Sequence, residues 1–191
     1  MVVASERVRS VRSDARENRR RIVDVARDAF STAGDTSLNE IAKRAGIGPG
    51  TLYRHFPTRE SLVLAVYRNE IENLADLAPQ LLAAHPPLEA LRLWLEQVAR
   101  YGQLKYGVAE LIHAATTDTV EEEAYKLVIG AIKQLLDAGA AAGLLRPDVH
   151  PDDFLLLISF LWRIDPQAGG ETRAARMLDL VMAGVLRRAR N

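Results

Sequence analysis

Apolar positions along the chain recur at intervals of three and four almost throughout, and no stretch alternates for long in the way of a half-buried strand. Ile22, Ala26, Ala29, Phe30 and Ala33 make one stripe, which predicts a first helix over about Asp14–Ala33, closed by Gly34. Ahead of it, Met1–Ser13 carries no apolar period and reads as a flexible arm. Ser37-Leu-Asn-Glu40 has the form of a capping box and opens a second helix that runs to about Ala45 and stops at Gly46. Pro49 suits a first helical turn, so a short third helix runs from there to Phe56-Pro57. Thr58 caps a long fourth helix, with Glu60 well placed in its first turn.

Pro79 is expected to interrupt or kink that helix after about Asp76. Pro86-Pro87 opens a helix carrying Leu88, Leu91, Leu95, Val98 and Tyr101, and Gly107–Ala115 forms a separate short one. Thr119 with Glu122 caps Val120–Ala142, which Gly143 and Pro147 close. Pro151–Arg163 is apolar on all sides, Asp165–Gly170 is a loop, and Thr172–Arg190 is the last helix. The fold class is therefore all-α, with an N-terminal three-helix helix-turn-helix head and a larger C-terminal helical bundle. Residues 1–13 form the basic arm, 14–57 the head and 58–191 the body.

Leu38 to about Phe56 has helix-turn-helix spacing. Ile41 and Ala45 face inward, Ala42 is small where two helices cross, and Gly46 sits where the turn needs a positive φ. Ile47 and Leu52 seal the second helix of the pair against the first. Such a unit holds a short helix proud of the surface, with its N-terminal end free to enter a major groove. Thr51, Tyr53, Arg54 and His55 can donate to phosphates, Lys43 and Arg44 lie on the preceding helix, and Gly48 and Gly50 permit close backbone approach. Helix–glycine–helix corners also occur in plain bundles, so spacing alone leaves that reading open.

Charge changes the picture. The 25 basic and 25 acidic side chains cancel, but Met1–Pro57 holds 11 Arg and Lys against 7 Asp and Glu, and the remainder 14 against 18. A basic head on an acidic body is expected where one end meets a polyanion. The excess is densest at Arg7, Arg9, Arg12, Arg16, Arg19, Arg20 and Arg21, for which a solubilising tail is the alternative. Hydrophobic residues make up 48% and charged residues 26%, an ordinary globular balance. The lack of cysteine excludes disulfides, thiolate metal sites and cysteine nucleophiles. No apolar run approaches the ~20 residues that span a bilayer, and the Arg-rich N-terminus lacks a secretory signal's apolar stretch, so a soluble, cytoplasmic chain with no membrane partner is expected.

Catalytic constellations are missing from the pattern. His55, His85, His113 and His150 are far apart and form no metal-ligand pair, and Glu121, Glu122 and Glu123 fan around a helix rather than converge. No nucleotide-binding glycine motif and no nucleophile-elbow motif occurs. The expectation is no enzyme, no cofactor and no metal.

The stretch Asn39-Glu-Ile-Ala-Lys-Arg-Ala-Gly-Ile-Gly-Pro-Gly-Thr-Leu-Tyr-Arg-His-Phe-Pro-Thr-Arg-Glu-Ser-Leu62 resembles the signature of the tetracycline-repressor (TetR) family. Arg20–Gly34 resembles that family's first helix, and the likeness covers Arg16–Tyr67. It implies a homodimer that binds a pseudo-palindromic double-stranded DNA operator and usually represses transcription. By position, Thr51, Tyr53 and His55 become phosphate contacts, Pro49, Gly50 and Arg54 lie near base edges, and Arg59 becomes a further phosphate contact. Ser37 and Lys43 join them, and the basic arm would reach a neighbouring minor groove.

The resemblance also implies an effector cavity in the body and dimerisation through the last two helices. Phe154, Leu157, Ile158 and Leu161 form one face of the penultimate helix, and Met177, Leu180, Val181 and Val185 one of the last. Two such helices from each subunit make a four-helix bundle across a two-fold axis; burial within one monomer is the alternative. Trp94, Tyr101, Tyr106, His113, Tyr125 and Trp162 can orient a small apolar or aromatic effector, or can serve as core. Two other classes stay open: an architectural DNA-binding protein of low specificity, and a small-molecule carrier with a vestigial head.

Overall fold

The computed structural model describes residues 2–167 and 169–187, with side chains from residue 16 onward. Helices α1 (Val2–Thr32), α2 (Leu38–Arg44) and α3 (Pro49–His55) form the head. Helices α4 (Arg59–Ala84), α5 (Pro87–Ala115), α6 (Asp118–Ala141), α7 (Pro151–Ile158) and α8 (Gly170–Val185) form the body, and a 3-10 turn, Ser159–Arg163, extends α7. Among the described residues there is no strand beyond a single bridge between Leu145 and Leu186.

The head closes on its own apolar stripe. Ile22, Ala26 and Phe30 of α1, Ile41 and Ala42 of α2, Leu52 of α3 and Phe56 are each at most 1% exposed. Gly46 takes φ +67° in the turn between α2 and α3, as the pattern required. Ser37 caps α2 by accepting from the Glu40 amide at 3.2 Å. Thr58 and Ser61 cap α4 reciprocally, each side chain bonding the other's backbone amide at 3.1–3.2 Å.

Two expectations are corrected. The helix of the head does not begin at Asp14: α1 extends back to Val2 through the stretch read as a separate arm. No glycine or proline interrupts the sequence before Gly34, and Glu17–Arg21 and Arg20–Asp24 pair one turn apart. The side chains of Arg7, Arg9 and Arg12 lie outside the described ones. Next, α4 runs unbroken through Pro79, because packing along α5 and α6 holds it while Pro79 itself faces solvent. The separate short helix expected over Gly107–Ala115 is borne out: α5 is two helical segments that meet at a break, the non-helical Val108 (φ −132°, ψ 21°).

That break faces the head. A Cβ on Gly34 would lie 2.2 Å from the Gly107 carbonyl oxygen, and one on Gly107 would lie 3.0 Å from the Phe30 carbonyl oxygen. The end of α1 therefore meets α5 backbone to backbone. With α4 running on from the head into the body, this contact fixes where the head sits.

Candidate nucleic-acid interface and body cavity

Helix α3 is anchored by one side chain and otherwise offered to solvent. Leu52 is fully buried, whereas Pro49, Gly50, Tyr53 and Arg54 are exposed and Thr51 and His55 are half-buried. Its N-terminus carries no side-chain cap; Pro49 has no N–H and the Thr51 and Leu52 amides bond the Gly48 carbonyl at 2.9 and 3.2 Å, which leaves the Gly50 amide to meet a phosphate or base edge. A Cβ at Gly48 or Gly50 would meet nothing within 4 Å, so their openness serves a surface that something else approaches. Lys43 is exposed on α2, while Arg44 pairs with Glu40 at 3.0 Å. Ser37 sits at the same rim; its oxygen accepts the capping bond and its hydroxyl proton stays available.

Arg59 is not a free phosphate ligand. Its guanidinium donates to the carbonyls of Gly34 and Thr36 and lies 4.9 Å from the Phe30 ring centroid. These carbonyls lie between α1 and α2, so Arg59 ties the first turn of α4 to the α1–α2 connection. Arg19 caps the other side of the head, 4.5 Å from the Phe56 ring.

Four of the six aromatic and histidine positions expected around an effector come together. Trp94, Tyr101, Tyr125 and Trp162 line a cavity of about 150 Å³ walled by α4, α5, α6, α7 and the 3-10 turn. His113 is elsewhere: it is exposed, eight residues past Lys105 and beyond the Val108 break, off the cavity-facing stripe Trp94–Val98–Tyr101–Lys105. Tyr106 is likewise exposed. The Trp94 indole donates to the Leu74 carbonyl at 2.8 Å, so it is satisfied. Tyr101 and Trp162 meet edge to face with centroids 5.5 Å apart. Tyr125 stands at the rim, donating to Asp152.

Two titratable cavity residues escaped the sequence reading. Lys105 lines the cavity with its ammonium 5.2 Å from the Trp162 ring, and burial pushes its pKa down. Tyr67 contributes from α4, its phenol pushed up by burial and by Glu121. The signal for Lys105 was its place four residues after Tyr101, on the same helical face. Burial also pushes the Tyr101 phenol well up, and its oxygen has no hydrogen-bond partner.

The expected dimer face divides. Phe154, Ile158, Leu161 and Val185 are at most 3% exposed and belong to the monomer's core, because α7 and α8 turn those sides onto the body. Leu157 (53%) and Leu180 (73%) face solvent, joined by Leu156 (73%), and Met177 and Val181 flank them half-buried. No helix among the described residues is long and apolar enough to cross a membrane. No group of three potential metal ligands forms among them.

Comparison with known proteins places this architecture. Residues 22–66 match the model of the bacterial regulatory proteins, tetR family, and residues 86–187 that of the C-terminal domain of SbtR-like transcriptional regulators. The fold is similar to a TetR transcriptional regulator of Streptomyces coelicolor, with TM-score 0.77 and 38% identity over 90% of this chain and 99% of that one. It is also similar to a TetR transcription regulatory protein from Mycobacterium vanbaalenii, with TM-score 0.75 and 32% identity over 93% and 99% of the two chains. An HTH-type transcriptional regulator of Staphylococcus aureus (strain USA300) is 44% identical over 64 residues, 32% of this chain and 35% of the relative. The match thus spans about a third of that curated relative's length.

Proposed function

This chain belongs to the TetR family of bacterial transcriptional regulators, and from that premise we propose that it is a dimeric repressor released from a palindromic DNA operator by a small aromatic effector. The observation that carries the reading is α3: one buried leucine holds a helix whose Pro49, Gly50, Tyr53 and Arg54 face outward, with Thr51 and His55 half-buried beside them. Tyr53, Thr51 and His55 bond phosphates, and Arg54, Pro49 and Gly50 approach base edges. Lys43 and Ser37 add phosphate contacts from α2 and its cap. Residues 14–57 act as the reading head, 58–191 sense and dimerise, and the work is done in the cytoplasm, where the DNA is.

Leu156, Leu157 and Leu180, with Met177 and Val181 beside them, supply the surface on which a second copy docks, since large apolar side chains this exposed mark an interaction face. The two-fold axis sets the two α3 helices against half-sites one turn of DNA apart, ~34 Å.

Release follows from geometry. Tyr67, Ile71 and Leu74 of α4 line the cavity, and the same helix begins at Arg59, which grips the end of α1. A ligand that fits the cavity better with α4 displaced favours a head position that no longer spans both half-sites; without that differential affinity nothing changes. Selection of bound sequences from random duplex DNA at near-physiological salt tests the reading. An enriched palindrome supports it. A specificity ratio near one, from a folded dimer, favours an architectural protein instead.

A further inference from the structure

The cavity of the body holds hydrogen-bond donors with nothing to receive them. No carboxylate lines it. The Trp94 and Tyr125 donors are spent on Leu74 and Asp152. The Tyr101 hydroxyl is buried and has no hydrogen-bond partner. Lys105 stands one helical turn further along the same face of α5. The ion pairs among the described residues engage Lys126 and Lys133 but not Lys105. Tyr101 and Lys105 converge on Trp162, with the ring centroids 5.5 Å apart and the ammonium 5.2 Å from the indole. Glu121 attracts the Lys105 ammonium only from beyond ion-pair distance, so an anion in direct contact would relieve the cost of its burial. The rest of the wall is apolar, and a cavity near 150 Å³ is the size that accepts one benzene ring.

We propose that the effector is a single-ring aromatic carboxylate, its ring held against Trp94 and Trp162 and its carboxylate bonded by Lys105 and Tyr101. This rests on the reading of the cavity as the effector site, and adds to it the chemical class of the ligand. An acid gains charge-assisted bonds that a neutral isostere lacks. Lys105 is thereby a specificity-determining residue, and the apolar wall supplies affinity common to both.

Both tryptophans of the chain border the cavity, so intrinsic fluorescence reports occupancy directly. The full-length protein is titrated with phenylacetate and with its neutral isostere 2-phenylacetamide. Phenylacetate should bind roughly tenfold tighter, the scale of one charge-assisted hydrogen bond. Lys105→Met keeps the apolar stem and should abolish that preference, weakening the acid far more than the amide. Lys105→Arg should retain the preference, and thermal melts establish that both variants fold. An amide that binds as tightly as the acid, or a preference that survives Lys105→Met, overturns the carboxylate assignment and leaves the effector cavity standing. If acid, amide and toluene all fail to alter the fluorescence, the assignment and the cavity reading fall together.

Discussion

Replacing Gly34 with alanine asks whether the body sets the position of the head by direct backbone contact. The new Cβ would lie 2.2 Å from the Gly107 carbonyl oxygen and 3.0 Å from its carbon. Carbon and oxygen at rest sit well beyond 3 Å, so the end of α1 and α5 must part by about 1 Å. The obstructing atoms are backbone, and no rotamer change relieves them. Overpacking of this kind costs about 1–3 kcal/mol. For a chain of this length each kcal/mol lowers Tm by roughly 2–4 °C. The same displacement loosens the carbonyls that Arg59 grips, so operator affinity falls although α3 is untouched. Thermal unfolding followed by circular dichroism, with DNA binding in parallel, measures both. Gly50→Ala is the control: its Cβ meets nothing within 4 Å and alanine favours the helix, so Tm does not fall while DNA approach suffers. A Gly34→Ala variant that melts with the wild type refutes the argument.

Substitutions at five residues test the rest. Lys43→Ala weakens binding to all duplexes alike and lowers the salt slope by about one, whereas Arg54→Ala costs about 1–3 kcal/mol and blurs one position of the site. Arg59→Ala lowers Tm and leaves the salt slope of residual DNA binding unchanged, because the guanidinium is spent on Gly34, Thr36 and Phe30; a slope reduced by about one with Tm intact would restore it to the phosphate group. Leu180→Asp, on an exposed face, yields a folded monomer by analytical ultracentrifugation, and persistent dimer contradicts the docking surface. Glu70 has its carboxyl pushed above the ordinary 4.5, first by burial, with Arg27 opposing. Its folded form binds the proton more tightly than the unfolded chain, so stability falls as pH rises from 4.5 through the raised value. Glu70→Gln removes that slope in urea titrations across the window and is the more stable protein at neutral pH; an unaltered slope would sink this assignment.

The head was legible in the sequence because each of its signals has a single local cause. Ser37 and Thr58 cap, Gly46 turns, and the stripe from Ile22 to Phe30 has one period and one side to bury. The body was less so. A proline costs a helix about 3 kcal/mol in isolation, but α4 passes Pro79 because two neighbouring helices hold it, which no local rule contains. The run Phe154–Ile158 is apolar at every position, so periodicity could not decide that Phe154 and Ile158 turn inward while Leu156 and Leu157 turn out. Arg59 has the position of a phosphate ligand, and only the placement of the Gly34 and Thr36 carbonyls shows where its donors go. Lys105 resembles any solvated lysine until α4, α6 and α7 close around it.

The central claim is that two α3 helices, related by a two-fold axis, read one duplex. Hydroxyl-radical footprinting of the wild-type protein on a sequence selected from random DNA tests it most directly. The account predicts two protected patches on each strand, symmetric about the palindrome's centre and about one helical turn apart (~34 Å) or a multiple of it. A single patch, or protection spread evenly along the duplex, would contradict it.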